Sequence, residues 1–293
     1  MTAPGLIRSG ARAAARNAGL LWWLLAGNLA LALAAVLPLL GPLEGSLAHH
    51  EASDQMSRRF DVSWWVDVTA ENAESFARAL DAISVAAFLS AMMGCFFAGG
   101  LIQAYHDTLG DLPVDRFMTS CRRWFPRFVL LFVLTLPLYW VAHETINTHV
   151  ASALEGLLEH VEDERLGLLI QTGRSLLFLV LFDLVTLMGD YARAHAVVSV
   201  ERSMLRSLWA GIRFVAAHPA RVLSLELFAI LAQALALALF LPVDRLLLAS
   251  GGSAAGLVAI FLAAQSFLLL RLFLREAARG AQVALYRQVA PAP

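Results

Sequence analysis

The chain has 293 residues, of which 59% are hydrophobic and only 15% are charged, and its mean hydropathy is +0.67. Soluble domains usually carry about 25% charged residues, so this composition excludes an ordinary soluble protein and also a disordered chain. The 22 basic residues are all arginine and the 23 acids nearly cancel them, so a net charge of -1 gives no support for nucleic-acid binding. The composition is that of a membrane protein.

Six apolar stretches approach or exceed the 20 or so helical residues that cross a bilayer core about 30 Å thick. They cover residues 20–40, 82–105, 127–142, 166–188, 222–241 and 254–270. The third is the shortest, and its Pro137 predicts a kinked span. The first exceeds the roughly 7–15 apolar residues of a signal-peptide core, so we expect an uncleaved span. We therefore predict one all-α membrane domain over residues 1–293, with external segments at 41–81 and 143–165.

The placement of arginine predicts the orientation of these spans. Sixteen arginines fall in the N-terminal tail, the second and fourth loops and the C-terminal tail, whereas five fall in the loops on the other side. Positively charged short loops stay in the cytoplasm. We therefore expect both termini to be cytoplasmic.

Three basic segments each lead into an outward-running span, and their arginines recur at the spacing of one helical face. The first segment contains Arg8, Arg12 and Arg16. The arginines expected to contact inner-leaflet lipid in the other two are Arg116, Arg123, Arg127, Arg202, Arg206 and Arg213. Apolar residues, Leu205 among them, occupy the opposite side, which is typical of a helix lying on an anionic leaflet; a specific docking surface is the alternative. We interpret the chain as three units of surface helix plus helical hairpin, an internal repeat.

The two external segments have patterns of their own. Apolar and polar residues alternate from Phe60 to Val68, which predicts a short extended or interfacial piece. An apolar stripe through Ile146, Val150 and Leu154 that continues to Val161 predicts an amphipathic helix over the outer surface. A lid over a ligand and a solvated loop are both consistent with these patterns.

Charged side chains at span depth cost about 2.5–3.5 kcal/mol each on insertion scales, so each needs a partner, water or a function. Several polar residues on different spans come at a similar depth, which predicts a polar cluster in the inner-leaflet third. Its predicted members are Gln103, Asp183, Asp190, Arg193, Glu226 and Arg271. An ion-paired cluster that orders the helices and a transport or lipid-headgroup site are the two interpretations.

Signatures of enzymes are poor in this sequence. His143 and Glu144 begin a zincin-like pair, but Asn147 stands where the second histidine is needed, and neither a P-loop nor a G-x-S-x-G elbow occurs. The external histidines are of a type that suits zinc, although no spacing requires it. They are His49, His50, His143 and His149. We predict no catalytic residue and no cofactor, with an intramembrane or metal-dependent enzyme using these histidines as the alternative.

The run Asp190-Tyr191-Ala192-Arg193 is followed by an amphipathic segment through Leu208 and Phe214 to His218-Pro219 and then by a span. This order resembles a set of uncharacterised six-helix bacterial membrane families that includes the membrane domain associated with glycerophosphodiester phosphodiesterases. The resemblance implies a bacterial inner membrane, and it brings no catalytic residue, because this sequence does not contain the catalytic domain of such fusions.

We expect a non-catalytic inner-membrane protein, a permease-like or lipid-interacting component. Its expected partners are membrane lipids and a membrane protein, without nucleic acid. A purely structural membrane scaffold is the remaining alternative.

Overall fold

The computed structural model describes residues 3–48, 62–107, 113–158, 164–249 and 254–290, and these ranges are almost entirely helical and contain no strand. Six of their helices are long and apolar enough to cross a membrane. The prediction of an all-α, six-span membrane protein is therefore confirmed. The helices are α1 (Ala3–Arg16), α2 (Ala18–Ala48), α3 (Val62–Glu71), α4 (Ala73–Asp107), α5 (Val114–Glu144), α6 (Ala151–Leu158), α7 (Glu164–Val198), α8 (Met204–Ala217), α9 (Pro219–Ala249) and α10 (Ala254–Val289).

The spanning helices are α2, α4, α5, α7, α9 and α10, and each is longer than its predicted apolar segment. At 1.5 Å per residue the 36 residues of α10 extend about 54 Å, well beyond a bilayer core of about 30 Å. The apolar stretches therefore marked only the part of each helix that contacts lipid. The polar ends of α7 and α10, at residues 185–197 and 276–286, are packed against other helices.

Residues 62–71 form the helix α3, so the expectation of an extended piece there is wrong. Val62, Trp65 and Val66 also recur at helical spacing, and an alternation this short does not separate the two periods. Val68 is only 2% exposed, and Trp65 packs edge-on against Phe76 of α4. The preceding residues of the pattern, Phe60 and Asp61, lie outside the described residues.

The predicted outer amphipathic helix is instead a continuation of the third span. A π-helical turn at Thr145–Val150 joins α5 directly to α6, and Ile146 is 1% exposed. The helix also runs through Pro126 and Pro137. The part of the stripe beyond Leu158 falls outside the described residues until Glu164.

Side-chain packing is concentrated at one end of the bundle, which we call the basic end because α1, α8 and the arginine-rich ends of the spans lie there. Between residues 165 and 184 of α7 no side chain is buried, whereas most are buried between 185 and 197. The same change occurs in α10, where no residue between 257 and 275 is buried and burial resumes at Glu276. The opposite halves of these helices expose leucine, valine and phenylalanine, as lipid-facing helices do.

The helices α4, α7 and α10 all run toward the basic end and contact one another there. Each also carries one basic segment on its outside. The segment α1 packs on α10, the first half of α5 packs on α4, and α8 packs on α7. The three units are α1–α4, α5–α7 and α8–α10. The basic segments of the second and third units each pack on the last helix of the preceding unit. The basic segment of the first unit, α1, packs on α10, the last helix of the third. We call this arrangement the ring.

Two of the three basic segments are separate helices, whereas the second is not. A break at Asn17 separates α1 from α2, and a break at His218, just before Pro219 begins α9, separates α8 from α9. In the second unit the basic residues lead into the apolar run with no such break, so α5 is continuous from Val114 to Glu144.

Glycines allow the close approach of helices in the ring. A Cβ added to Gly10 of α1 would meet the backbone of Ala277 and Ala281 in α10. A Cβ added to Gly211 of α8 would meet the backbone of Met188 and Ala192 in α7. Small residues are the usual means by which membrane helices bring their backbones together.

Candidate functional site

A buried ionic network lies where α4 and α10 meet. Glu276 is completely buried, and it accepts hydrogen bonds from Arg279 (2.6 Å) one turn later and from the Tyr105 hydroxyl of α4 (3.3 Å). A buried carboxylate is tolerated only with such charged and hydrogen-bonded partners. The sequence interpretation missed Glu276 because it lies beyond the apolar run, in what was expected to be a polar tail.

A second acid–arginine pair with the same spacing lies in α7. Arg193 donates to Asp190 at 2.5 Å, and both side chains are mostly buried. The recurrence of an acid followed three residues later by arginine, at 190/193 and at 276/279, is the sequence signal that could have found Glu276.

The structure brings four of the six predicted cluster residues together. Asp183, Asp190 and Glu226 lie within electrostatic reach of one another, and Asp190 is paired with Arg193. Glu226 of α9 accepts a hydrogen bond from Gln282 of α10 (3.4 Å). This cluster therefore links the basic halves of α7, α9 and α10.

The other two predicted members lie elsewhere. Gln103 donates to Asp107 (2.8 Å) and accepts from the indole N–H of Trp124 (3.4 Å), so it belongs to the contact between α4 and α5. Arg271 lies beside the ring of Phe267, with its guanidinium carbon 5.9 Å from the ring centroid. Gln103 and Arg271 were predicted at the same depth as the other cluster residues, but they lie on helix faces that contact different neighbours.

Arg271 lines a cleft of about 440 Å³ between α2, α9 and α10. Its polar lining consists of Asn28, Gln233, Gln265, Arg271 and Arg275. Its apolar lining consists of Leu25, Leu29, Ala32, Leu268 and Leu272. All of these residues belong to membrane-spanning helices, and neither Asp183 nor Glu226 lines the cleft.

The cleft has more positive charge than its own residues neutralise. Among the described residues Arg271 forms no ion pair, and Arg275 reaches only the edge of the Glu276 carboxylate, at 3.8 Å from its Nε. The side-chain oxygen of Gln265 is buried and has no hydrogen-bond partner within the same part of the chain. A guanidinium presents five N–H donors and matches carboxylate and phosphate groups in a bidentate manner. The cleft can therefore bind an anionic group beside apolar walls.

Two of the four external histidines, His143 and His149, belong to the described residues. His143 and His149 are exposed on α5 and on the π-helical turn, and the ring of His143 packs edge-on to Phe178. His49 and His50 lie outside the described residues. Within the described ranges no group of three or more metal-binding side chains occurs.

The predicted lipid-contacting arginines differ in their surroundings. Arg116, Arg123, Arg202, Arg206 and Arg213 are exposed. Arg127 is half-buried, with its guanidinium carbon 5.1 Å from the centroid of the Trp124 ring.

The apolar side predicted for α8 packs on α7 rather than facing outward, since Met204, Leu208 and Val215 are buried. Leu205, predicted for that side, is 65% exposed instead and lies near the exposed Trp209.

Comparisons with protein families, with curated proteins and with solved structures found no match to this chain.

Proposed function

We propose that the chain is a non-catalytic protein of a bacterial inner membrane that binds the anionic head of a membrane amphiphile in the cleft between α2, α9 and α10. The observation that carries this proposal is Arg271, a cation without an ion pair among the described residues, on the wall of a cleft inside the spanning region. A charge in this position needs a partner, water or a function.

The two kinds of lining in the cleft fit the two parts of an anionic lipid. Arg271 and Arg275 supply donors for a phosphate or carboxylate, and the cleft amides supply further polar contacts. Leu25, Leu29 and Leu268 provide an apolar wall for the start of an acyl chain. A ligand of this kind enters sideways from the bilayer, so the proposal needs no aqueous path.

The arginine distribution supports an orientation in which the basic end and both termini are cytoplasmic. The exposed Trp209 beside Arg206 and Arg213 is consistent with this, because tryptophan and arginine side chains both favour the membrane interface. In this orientation Arg271 and Arg275 lie near the level of the inner-leaflet headgroups.

Photo-crosslinking tests the proposal directly. The protein is placed in phosphatidylcholine nanodiscs with a trace of photoreactive phosphatidylglycerol, and crosslinked peptides are mapped by mass spectrometry. We expect crosslinks in α2 and α10, and about a tenfold loss in the double variant R271Q/R275Q, since a hydrogen bond to a charged group contributes about 1.5–3 kcal/mol. R221Q removes an exposed arginine that does not line the cleft and serves as the matched control. Equal labelling of the control and the double variant would contradict the proposal.

A further inference from the structure

A second cavity lies at the basic end, between α1, α4 and α10, with a volume of about 240 Å³. Its lining includes Arg12 and Arg16 of α1, Tyr105 of α4 and Arg287 of α10. The small residues Ala104, Gly280 and Ala284 leave the space on the α4 and α10 side, whereas α1 contributes its polar residues. The cavity is distinct from the cleft between α2, α9 and α10, because the two share no lining residue.

Three arginines face this cavity and no carboxylate lines it. Arg12 and Arg16 are one helical turn apart on α1, and like charges at this spacing destabilise a helix. Arg287 approaches from α10, and it donates to the main-chain oxygen of His106 at the end of α4 (3.1 Å). Among the described residues none of the three forms an ion pair. All three side chains are exposed, so water and salt screen their repulsion, and an anion bound between them would remove what repulsion is left.

We propose that this cavity is a binding site for a phosphate group, which can be the headgroup phosphate of an anionic phospholipid or free phosphate. Guanidinium groups bind phosphate oxygens through paired, charge-assisted hydrogen bonds. Basic pockets between spanning helices at the cytoplasmic face are suited to anionic headgroups. The site does not depend on the proposed function of the cleft. A bound phosphate would bridge α1 to α10 and stabilise the contact that closes the ring.

Two experimental arms distinguish the two sources of phosphate. In the first, native mass spectrometry compares the retention of phosphatidylglycerol and phosphatidylcholine by the detergent-purified protein. In the second, the thermal midpoint of the protein in phosphatidylcholine nanodiscs is measured against inorganic phosphate, with sodium chloride at matched ionic strength as the reference. The variants are R12Q/R16Q and, as the matched control, R8Q, which removes an exposed arginine of α1 outside the cavity.

A lipid site predicts preferential retention of phosphatidylglycerol, and a free-phosphate site predicts a higher midpoint with phosphate than with chloride. In either case, measured in the R271Q/R275Q background so that the cleft does not contribute, we expect an approximately tenfold weaker effect in R12Q/R16Q and little change in R8Q. Equal losses in R8Q and R12Q/R16Q, or a wild-type protein that responds to neither probe, would overturn the proposal. If R12Q/R16Q does not fold, hydrogen exchange of the wild-type protein decides. Phosphate or phosphatidylglycerol should then slow exchange in residues 9–17 and 280–287, and unchanged exchange there would also reject the site.

Discussion

The hydroxyl of Tyr105 donates a hydrogen bond to the carboxylate of Glu276, 3.3 Å away and 171 positions later in the chain. This contact joins α4 of the first unit to α10 of the third. Because Glu276 is completely buried and also accepts from Arg279, it connects two helices and neutralises a cation at the same time.

Replacing Glu276 by glutamine should destabilise the protein strongly. The change leaves the Arg279 guanidinium without its carboxylate, and removing one partner of a buried ion pair typically costs about 3–5 kcal/mol. The matched change Tyr105→Phe removes one hydrogen bond and keeps the ring, so we expect a loss of about 1 kcal/mol. Thermal unfolding in detergent measures both. A midpoint for E276Q that is no lower than that of Y105F would contradict the assigned role of the carboxylate.

A side chain at Gly10 should open the contact between α1 and α10. Gly10→Ala places a Cβ against the main chain of Ala277 and Ala281, and overpacking of this kind costs about 1–3 kcal/mol. Gly19→Ala is the control, because nothing lies within 4 Å of the added atom. We expect it to have no effect or to stabilise α2 slightly.

The same substitution at Gly211 tests whether α8 packs on α7 as closely as α1 packs on α10. Gly211→Ala would press on Met188 and Ala192 at the contact between α8 and α7, so its effect on stability should resemble that of Gly10→Ala. Stability measurements on both variants give the comparison. A large effect at one position and none at the other would argue against equivalent contacts.

Replacing Val200 by glycine should stabilise the turn after α7. Val200 has a φ of 50°, and its N–H and that of Glu201 bond back to Val197 and Ala196 in the pattern that ends many helices with a glycine. A β-branched residue in this region is strained by about 1–2 kcal/mol, so after the entropy cost of glycine we expect a gain of up to about 1 kcal/mol. Val198→Gly, at the last residue of α7, should lose stability instead. A thermal midpoint for V200G below that of the wild type would contradict the assignment of backbone strain to Val200.

Glu201 should make the same turn sensitive to acid. The main-chain N–H of Ser203, and less strongly that of Arg202, donate to its carboxylate (2.9 Å each) and hold its pKa below the usual value of 4.5. A carboxyl group whose pKa is lower in the folded state stabilises that state at pH values above its unfolded pKa. This stabilisation is lost as the pH falls through the pKa of the folded state. The stability advantage of the wild type over Glu201→Gln should therefore be constant near neutral pH and shrink below about pH 4.5. Thermal midpoints from about pH 6.5 to about pH 3.5 measure it, and an advantage that grows on acidification would be the wrong sign.

Hydropathy predicted the six spans because each contains enough consecutive apolar residues to contact lipid. It placed the helix ends poorly, since residues such as Glu276 and Arg279 are polar and still lie in the best-packed part of the molecule. Their helix continues because α1 and α4 cover it, and this contact involves residues far apart in sequence.

The polar cluster was also predicted without knowledge of contacts between residues far apart in sequence. Depth along a span can be counted from the sequence, and it brought Asp183, Asp190 and Glu226 to the same level as observed. Which way each helix face points depends on neighbours that the sequence does not reveal, so Gln103 and Arg271 were grouped with residues they do not contact. The cleft was not predicted for the same reason.

The contact between α1 and α10 has a consequence for biosynthesis. The helix α1 is synthesised before the other described helices, whereas α10, on which it packs, is synthesised after them. Until then the buried face of α1, with Leu6 and Ala14, has no protein partner and must be covered by lipid or by a chaperone. Closure of the ring therefore has to wait for α10, so a chain interrupted before this helix cannot form the contact.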